Sequence, residues 1–383
     1  MFAKSTKGVN RIPLWEFHVR ELGADMGEFA GWEVPMMYTG ALQEHMIVRT
    51  DAGVFDVSHM GRIRVSGPDA EPFLQRIFTK NIAKTKEYHL SGPTLVLNAY
   101  ARVKDDEMPY KVSDEEWLVV VNALYRDKML KYYENVIKTH NFDVRVEDLT
   151  SKYAMIAIQG PRSAEILEKI CGDWIHDLRA LQFRIGESVS EHDAFLISRS
   201  GWTGEDGFEI WAEPKNMVDI YRALLKAGVK PVGIICRDML RIEMGYVLGE
   251  HEYGEDPLRF PPANSLRYGL GAIDWNKRGF VGEEALRAYR REGVRWVRVG
   301  IKMRRKHARA VIRQGYKLYV EDQVIGWMTS GTYSPYLKTA IGQAYVDVRY
   351  AIFGDIVEVE IRGKRYEGKI VEFPLVRGRP VVR

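Results

Sequence analysis

Ser198-Arg199-Ser200-Gly201-Trp202-Thr203-Gly204-Glu205-Asp206-Gly207-Phe208-Glu209-Ile210 is the stretch from which the rest of the chain can be read. The apolar residues 194–197 lead into it, and the alternating Phe208 and Ile210 lead out. Between them stand Gly201, Gly204 and Gly207, one aromatic and the carboxylates Glu205, Asp206 and Glu209. The pattern predicts strand, tight turn, strand, with glycine supplying the positive φ angles of the turn. An ordinary solvated hairpin would satisfy it. A hairpin at a ligand site would instead present Trp202 as a flat wall and Glu209 as an acceptor. The glycines lack the GxGxxG spacing, so no dinucleotide site is read there.

Downstream, residues 216–227 carry Met217, Ile220, Leu224 and Leu225 on one helical face, and residues 236–248 repeat the pattern with Leu240, Met244 and Leu248. Arg237 lies one turn from Arg241 on that helix, and arginine suits planar, bidentate recognition. Tyr246 is expected to end the helix. Residues 251–270 form a proline-bearing loop with no functional account from sequence. From Arg298 the chain shifts to short alternating strands, expected to close a small all-β barrel or jelly roll.

Upstream, helices are expected at 13–23, 41–50, 69–82, 124–139 and 163–171, and residues 53–67 alternate like one strand. Residues 1–12 read as a loose arm. Asp106, Met108, Tyr110 and Val112 share one strand face; Asp105, Glu107 and Pro109 share the other, which suits solvent or a turn. Asn122 ends the return strand 117–121. His59 invites a general-base reading, but no Ser or Cys nucleophile stands beside it in a recognisable partner motif.

At 383 residues the chain is long enough for two or three domains. It holds no apolar run of 18 residues, so no transmembrane helix is expected, and no apolar segment follows Met1-Phe2-Ala3-Lys4 to make a signal peptide. Cys171 and Cys236 lack metal-ligand spacing and suit a reducing cytoplasm; no metal is expected. A net charge of +4 tilts the protein towards acidic partners without the basic stripe of a nucleic-acid binder.

Four further strings accompany the opening one: Phe29-Ala30-Gly31-Trp32-Glu33-Val34-Pro35, Phe55-Asp56-Val57-Ser58-His59-Met60-Gly61, Arg237-Asp238-Met239-Leu240-Arg241-Ile242-Glu243 and Thr329-Ser330-Gly331-Thr332-Tyr333-Ser334-Pro335. Together they closely resemble the T-protein family, the aminomethyltransferases of the glycine cleavage system, over residues 13–377. The resemblance implies an α+β fold in three parts. Two interleaved sheet-and-helix lobes form a catalytic region over residues 1–285, and a C-terminal β-barrel or jelly roll covers residues 292–383. It implies transfer of a methylene from the lipoyl arm of an acidic carrier, H-protein, to tetrahydrofolate or a related reduced pterin, with release of ammonia. The residues it marks are Asp106 as catalytic carboxylate, and Met60, Tyr110, Asn122, Trp202, Glu209, Arg237, Tyr246 and Arg377 for the folate. A folate-dependent demethylase with another donor, or a pterin-binding protein without chemistry, would share these strings. Pro93, where a tyrosine is usual, Ala101 and Arg102, where two glycines are usual, and Arg64, where an apolar pocket residue is usual, depart from the family pattern. These departures bear on the substrate rather than on the fold.

Overall fold

Strands that are apolar on both faces need cover on both sides, and two sheets stacked face to face supply half of it. The computed structural model describes residues 8–268 and 271–376. One six-stranded sheet runs Arg145–Asp148, Gly61–Ser66, Glu116–Val121, Val103–Ser113 and His89–Leu90, with Thr94–Leu97 paired to Val103–Ser113. The other runs Phe183–Val189, His192–Ser198, Gly207–Ala212, Ala154–Gln159, Gly53–Asp56 and Lys230–Pro231. Tyr110, Leu118 and Val120 of the first pack against Phe55, Leu196 and Trp211 of the second in one shared core. Helices cover the outer faces. Ala70–Ile77 and Arg126–His140 bury Phe73 and Tyr133 on the first sheet, while Ser163–Cys171 and Pro214–Lys226 bury Leu167 and Met217 on the second.

The single strand expected over 53–67 is two strands, Gly53–Asp56 and Gly61–Ser66, in different sheets. Residues 57–60 cross between them, and this crossing interleaves the two lobes. Asp56 accepts the Ser58 amide at 2.8 Å and meets His18 Nε2 at 2.8 Å. The buried Arg62 donates to the carbonyls of Met60, at 2.6 Å, and Ser58, at 3.0 Å. Local polar partners thus override the alternation that reads as one strand.

The helices at Ala41–Thr50 and Ser163–Cys171 lie where periodicity places them. Others are shorter: Trp15–Arg20 within 13–23, and Ala70–Ile77 within 69–82. Ile234–Met244 stops at Gly245, whose φ of 73° ends the helix, so Tyr246 lies beyond it. Asn10–Arg11 of the expected loose arm pairs with Trp32–Glu33 as a short parallel strand; residues 1–7 lie outside the described residues.

The C-terminal strands close a six-stranded barrel in the order Trp296–Met303, Thr339–Asp347, Gln323–Ser334, Lys317–Val320, Ile356–Ile361, Lys364–Val371. Closure pairs every edge, and Val299, Leu318, Met328 and Ile370 fill the interior. Buried charge joins the barrel to the lobes. Arg241 donates to Ser330 Oγ at 2.7 Å and to Glu252 at 2.8 Å. Glu243 takes bonds from His45, Arg49 and Ser334. A buried charge left unpaired is costly, so these pairs hold the Ile234–Met244 helix in one position against the barrel. No helix among the described residues is long and apolar enough to cross a membrane.

Candidate active site

A cavity opens between the two sheets and the Ile234–Met244 helix. Met60, Asp106, Tyr110, Asn122, Trp202, Glu209 and Arg237, drawn from six separate parts of the chain, all line it. Tyr246 does not; its ring packs behind Trp202 at 4.7 Å between centroids and stiffens that wall. Arg377 lies outside the described residues. The described tail does return to this helix, where Leu375 N donates to Glu243 O at 2.7 Å.

The hairpin that carries Trp202 and Glu209 pairs Leu196 with Trp211, Ile197 with Ile210 and Ser198 with Glu209. Its connection, residues 199–206, is longer than the tight turn expected. Of the three glycines only Gly204 has a positive φ, at 78°. Gly201 and Gly207 serve a different need: a Cβ on either would strike the Gln159 side chain. Gln159 donates to Ser200 O at 3.0 Å and accepts from Thr203 Oγ1 at 2.7 Å, so the amide fills the loop and fixes its shape. Arg199, bonded twice to Asp206 at 2.9 and 2.6 Å, closes the loop's base.

Glu209 Oε2 accepts from Ser200 Oγ at 2.6 Å and from Tyr110 at 3.0 Å. Oε1 accepts no bond among the described residues and is left for a ligand donor. Tyr110 is fully buried, with Phe183 and Trp211 against its ring, so it serves the site by holding Glu209. The Arg237 side chain has no hydrogen bond or ion pair among the described residues. Burial lowers its guanidinium from the ordinary value, while Glu209, Asp238 and Asp106 act in the other direction.

Asp106 sits on the Val103–Ser113 strand, and both faces of that strand are covered: the second sheet lies over the face of Met108 and Tyr110, and Tyr133 of the Arg126–His140 helix lies over that of Glu107. The expectation that Asp105 and Glu107 face solvent or a turn is therefore overturned: they are 0% and 2% exposed. Asp105 accepts from the backbone of Asp106 at 2.9 Å and from Asn122, by its backbone at 3.1 Å and its amide at 2.8 Å. Glu107 accepts from the Tyr133 hydroxyl. Asp106 Oδ1 accepts from Tyr253 at 2.5 Å and from Asn122 Nδ2 at 2.8 Å; among the described residues Oδ2 meets only the Tyr268 hydroxyl, at 3.3 Å. Burial raises the Asp106 carboxyl above its usual range, against the lowering effect of these donors. Asp105 and Glu107 rise further, through burial and then the charge of neighbouring carboxylates.

Among the residues missed from sequence, Ser200 stood inside the quoted stretch and Glu107 beside Asp106. Tyr253 and Tyr268 carried no local mark, because they reach Asp106 from 147 and 162 residues away. Both lie in the 251–270 loop. Of the departures from the family pattern, Pro93 lines the cavity, and Ala101 adopts φ 57°, a conformation that favours glycine. Arg64 is not at the cavity; its side chain is 42% exposed and pairs with Glu116 at 2.9 Å. His59 does not line the cavity either. Burial and the charge of Arg237 push it down to about 3, and neither ring nitrogen has a partner among the described residues. Among the described residues no three His, Cys, Asp or Glu side chains are grouped to hold a metal ion.

Residues 15–259 match the family model described as the GCVT N-terminal domain, and residues 297–376 match the glycine cleavage T-protein C-terminal barrel domain. A protein of Aeropyrum pernix named "Probable aminomethyltransferase" is 57% identical over 96% of this chain and 98% of its own length. An aminomethyltransferase of Lysinibacillus sphaericus is 36% identical over 97% and 99%. The crystal structure of glycine cleavage system aminomethyltransferase T from Bartonella henselae superposes with a TM-score of 0.87, at 30% identity, over 97% of this chain and 99% of that one. Family matches over both lobes and barrel, full-length relatives and a full-length structural match agree: the chain belongs to the glycine cleavage T-protein family, the aminomethyltransferases.

Proposed function

We propose that the protein is the aminomethyltransferase of a glycine cleavage system. It moves the methylene of a lipoyl-bound aminomethyl group to tetrahydrofolate and releases ammonia. The observation that carries this reading is one cavity lined by the aromatic wall of Trp202, by a carboxylate oxygen and an arginine side chain that have no partner among the described residues, and by a buried carboxylate. The pterin ring lies against Trp202 and Met60 and offers its N–H edge to Glu209 Oε1. Arg237, with Arg377, takes the glutamate tail. Asn122 orients the carboxylates beside it.

Asp106 accepts the proton of the attacking folate nitrogen. Over the whole reaction two folate N–H bonds are replaced by two N–C bonds to the methylene carbon. One proton leaves with ammonia and the other returns to the lipoyl sulfur. A positioned carboxylate suits the first of these transfers without further chemistry from the protein.

The donor partner in this reading is a lipoylated, acidic H-protein. The barrel groove that carries Lys306, Arg309, Arg313, Arg362 and Lys364 supports an electrostatically steered encounter. We assign the protein to the cytoplasm, where its two free cysteines stay reduced. The parts 1–285 and 292–383 act as catalytic region and covering barrel. The experiment is a screen of lipoyl-linked aminomethyl, N-methyl and S-methyl donors with tetrahydrofolate, scored for methylene- or methyl-folate. Methylene-folate from the aminomethyl donor alone supports the reading. Turnover of an N-methyl or S-methyl donor in its place overturns it.

A further inference from the structure

Two adjacent buried carboxylates cannot both serve one proton transfer, and alternation along the strand does not choose between them once both faces are buried. The choice lies in the 251–270 loop. Tyr253 has a single hydroxyl proton to give to the pair, and its oxygen lies 2.5 Å from Asp106 Oδ1 and 3.2 Å from Asp105 Oδ1. The proton goes to the nearer oxygen. Asp105 is left with the fixed N–H donors of Asp106 and Asn122, which occupy both its oxygens. Asp106 Oδ1 is occupied by Tyr253 and Asn122, so only Oδ2 remains, with Tyr268 at a long 3.3 Å.

We propose that Tyr253, assisted by Tyr268, is a positioning residue that keeps Asp106 ionised and presents its Oδ2 to the cavity, so that Asp106 rather than Asp105 takes the proton. The inference rests on the reading of Asp106 as the catalytic carboxylate. Hydrogen bonds to the charged form of a carboxylate favour that form, and here they oppose the burial that would otherwise keep it protonated. Other groups also bear on Asp106. Asp105 and Glu107 on its own strand disfavour its charge, and Arg237 across the cavity favours it. Tyr125 adds burial beside Tyr253, at 6.1 Å between rings. Removing the Tyr253 hydroxyl alone leaves Glu107, Arg237 and Tyr125 in place and takes from Asp105 only its long 3.2 Å contact.

The test is the pH profile of kcat at saturating tetrahydrofolate and aminomethyl-lipoyl donor. Tyr253→Phe should move the acid limb up by about one pH unit, with about a tenfold loss of turnover below it and little change in the KM for folate. Tyr268→Phe should move it by less, as its bond is longer. Site-specific incorporation of 3-fluorotyrosine at 253 preserves shape, strengthens the donor and should move the limb down, which keeps the test open if the phenylalanine variant folds poorly. An acid limb unmoved by both changes at Tyr253, in folded protein, overturns the proposal. Asp106→Asn is the separate control: full activity in that variant overturns the reading of Asp106 itself, whatever the tyrosines do.

Discussion

Tyr110 and Glu209 belong to different sheets, and the Tyr110 hydroxyl donates to Glu209 Oε2 at 3.0 Å. The bond crosses the interface between the two lobes, so Glu209, the acceptor proposed for the pterin, is oriented by the sheet opposite its own. Ser200 completes the clamp from the hairpin loop at 2.6 Å. Glu209→Gln should weaken reduced-folate binding by about 1–3 kcal/mol, the range for losing a charged hydrogen-bond partner. Titration calorimetry checks it, and unchanged affinity would remove Glu209 from the ligand's contacts.

Asp106→Asn should lower turnover by about 10²–10⁴-fold with folate binding retained. The variant keeps its fold, since an amide oxygen can take the Oδ1 position and an amide NH₂ can donate to Tyr268. Asp105→Asn behaves differently from what strand alternation alone suggests. The Asp106 amide and the Asn122 side chain donate to Asp105 Oδ1, and the Asn122 backbone donates to Oδ2. An amide must point its NH₂ at a donor, so this variant should lose roughly 1–3 kcal/mol of stability. Urea melts and circular dichroism beside the activity assay separate the two effects. An Asp105→Asn variant as stable as the wild type but equally inactive would assign it the chemistry instead.

Lys277 is buried, and its Nζ donates to the carbonyls of Phe78 and Lys80, each at 2.8 Å. Burial pulls it down to about 7, whereas an unfolded-chain lysine stays near its ordinary value of about 10.4. Between those values the unfolded chain binds more protons, so this group makes stability rise with pH from about 7 towards 10. Compared with Lys277→Met, the wild type should gain roughly 1–3 kcal/mol between pH 7 and pH 9. Parallel pH dependences of the two proteins in urea melts would show that Lys277 is charged when folded.

Steering by the barrel's basic groove predicts a salt effect confined to the protein donor. With lipoylated H-protein, kcat/KM should fall as ionic strength rises from low to physiological; with a free aminomethyl-lipoyl donor it should change little. Arg309→Glu should reduce the slope. Equal salt dependence for both donors would place the effect in the folate site instead.

Much of this arrangement was legible in the chain. Helices Ala41–Thr50 and Ser163–Cys171 follow from periodicity, and the strands around the hairpin and the change of pattern near Arg298 follow from alternation and turn residues. These are effects between neighbours, which is why a sequence displays them. The packing decided the rest. The 53–67 run splits between two sheets because Asp56 and Arg62 find partners that alternation does not encode. Gly201 and Gly207 are small to admit Gln159, a residue more than forty positions away. Asp105 is buried because the Arg126–His140 helix, whose Tyr133 bonds Glu107, packs over that face of its strand. By itself the sequence determined the elements, the five family strings and the residue types of the site. Only the tertiary structure decided which carboxylate Tyr253 bonds most closely, because a hydrogen bond of 2.5 Å across 147 residues depends on every packed layer between them.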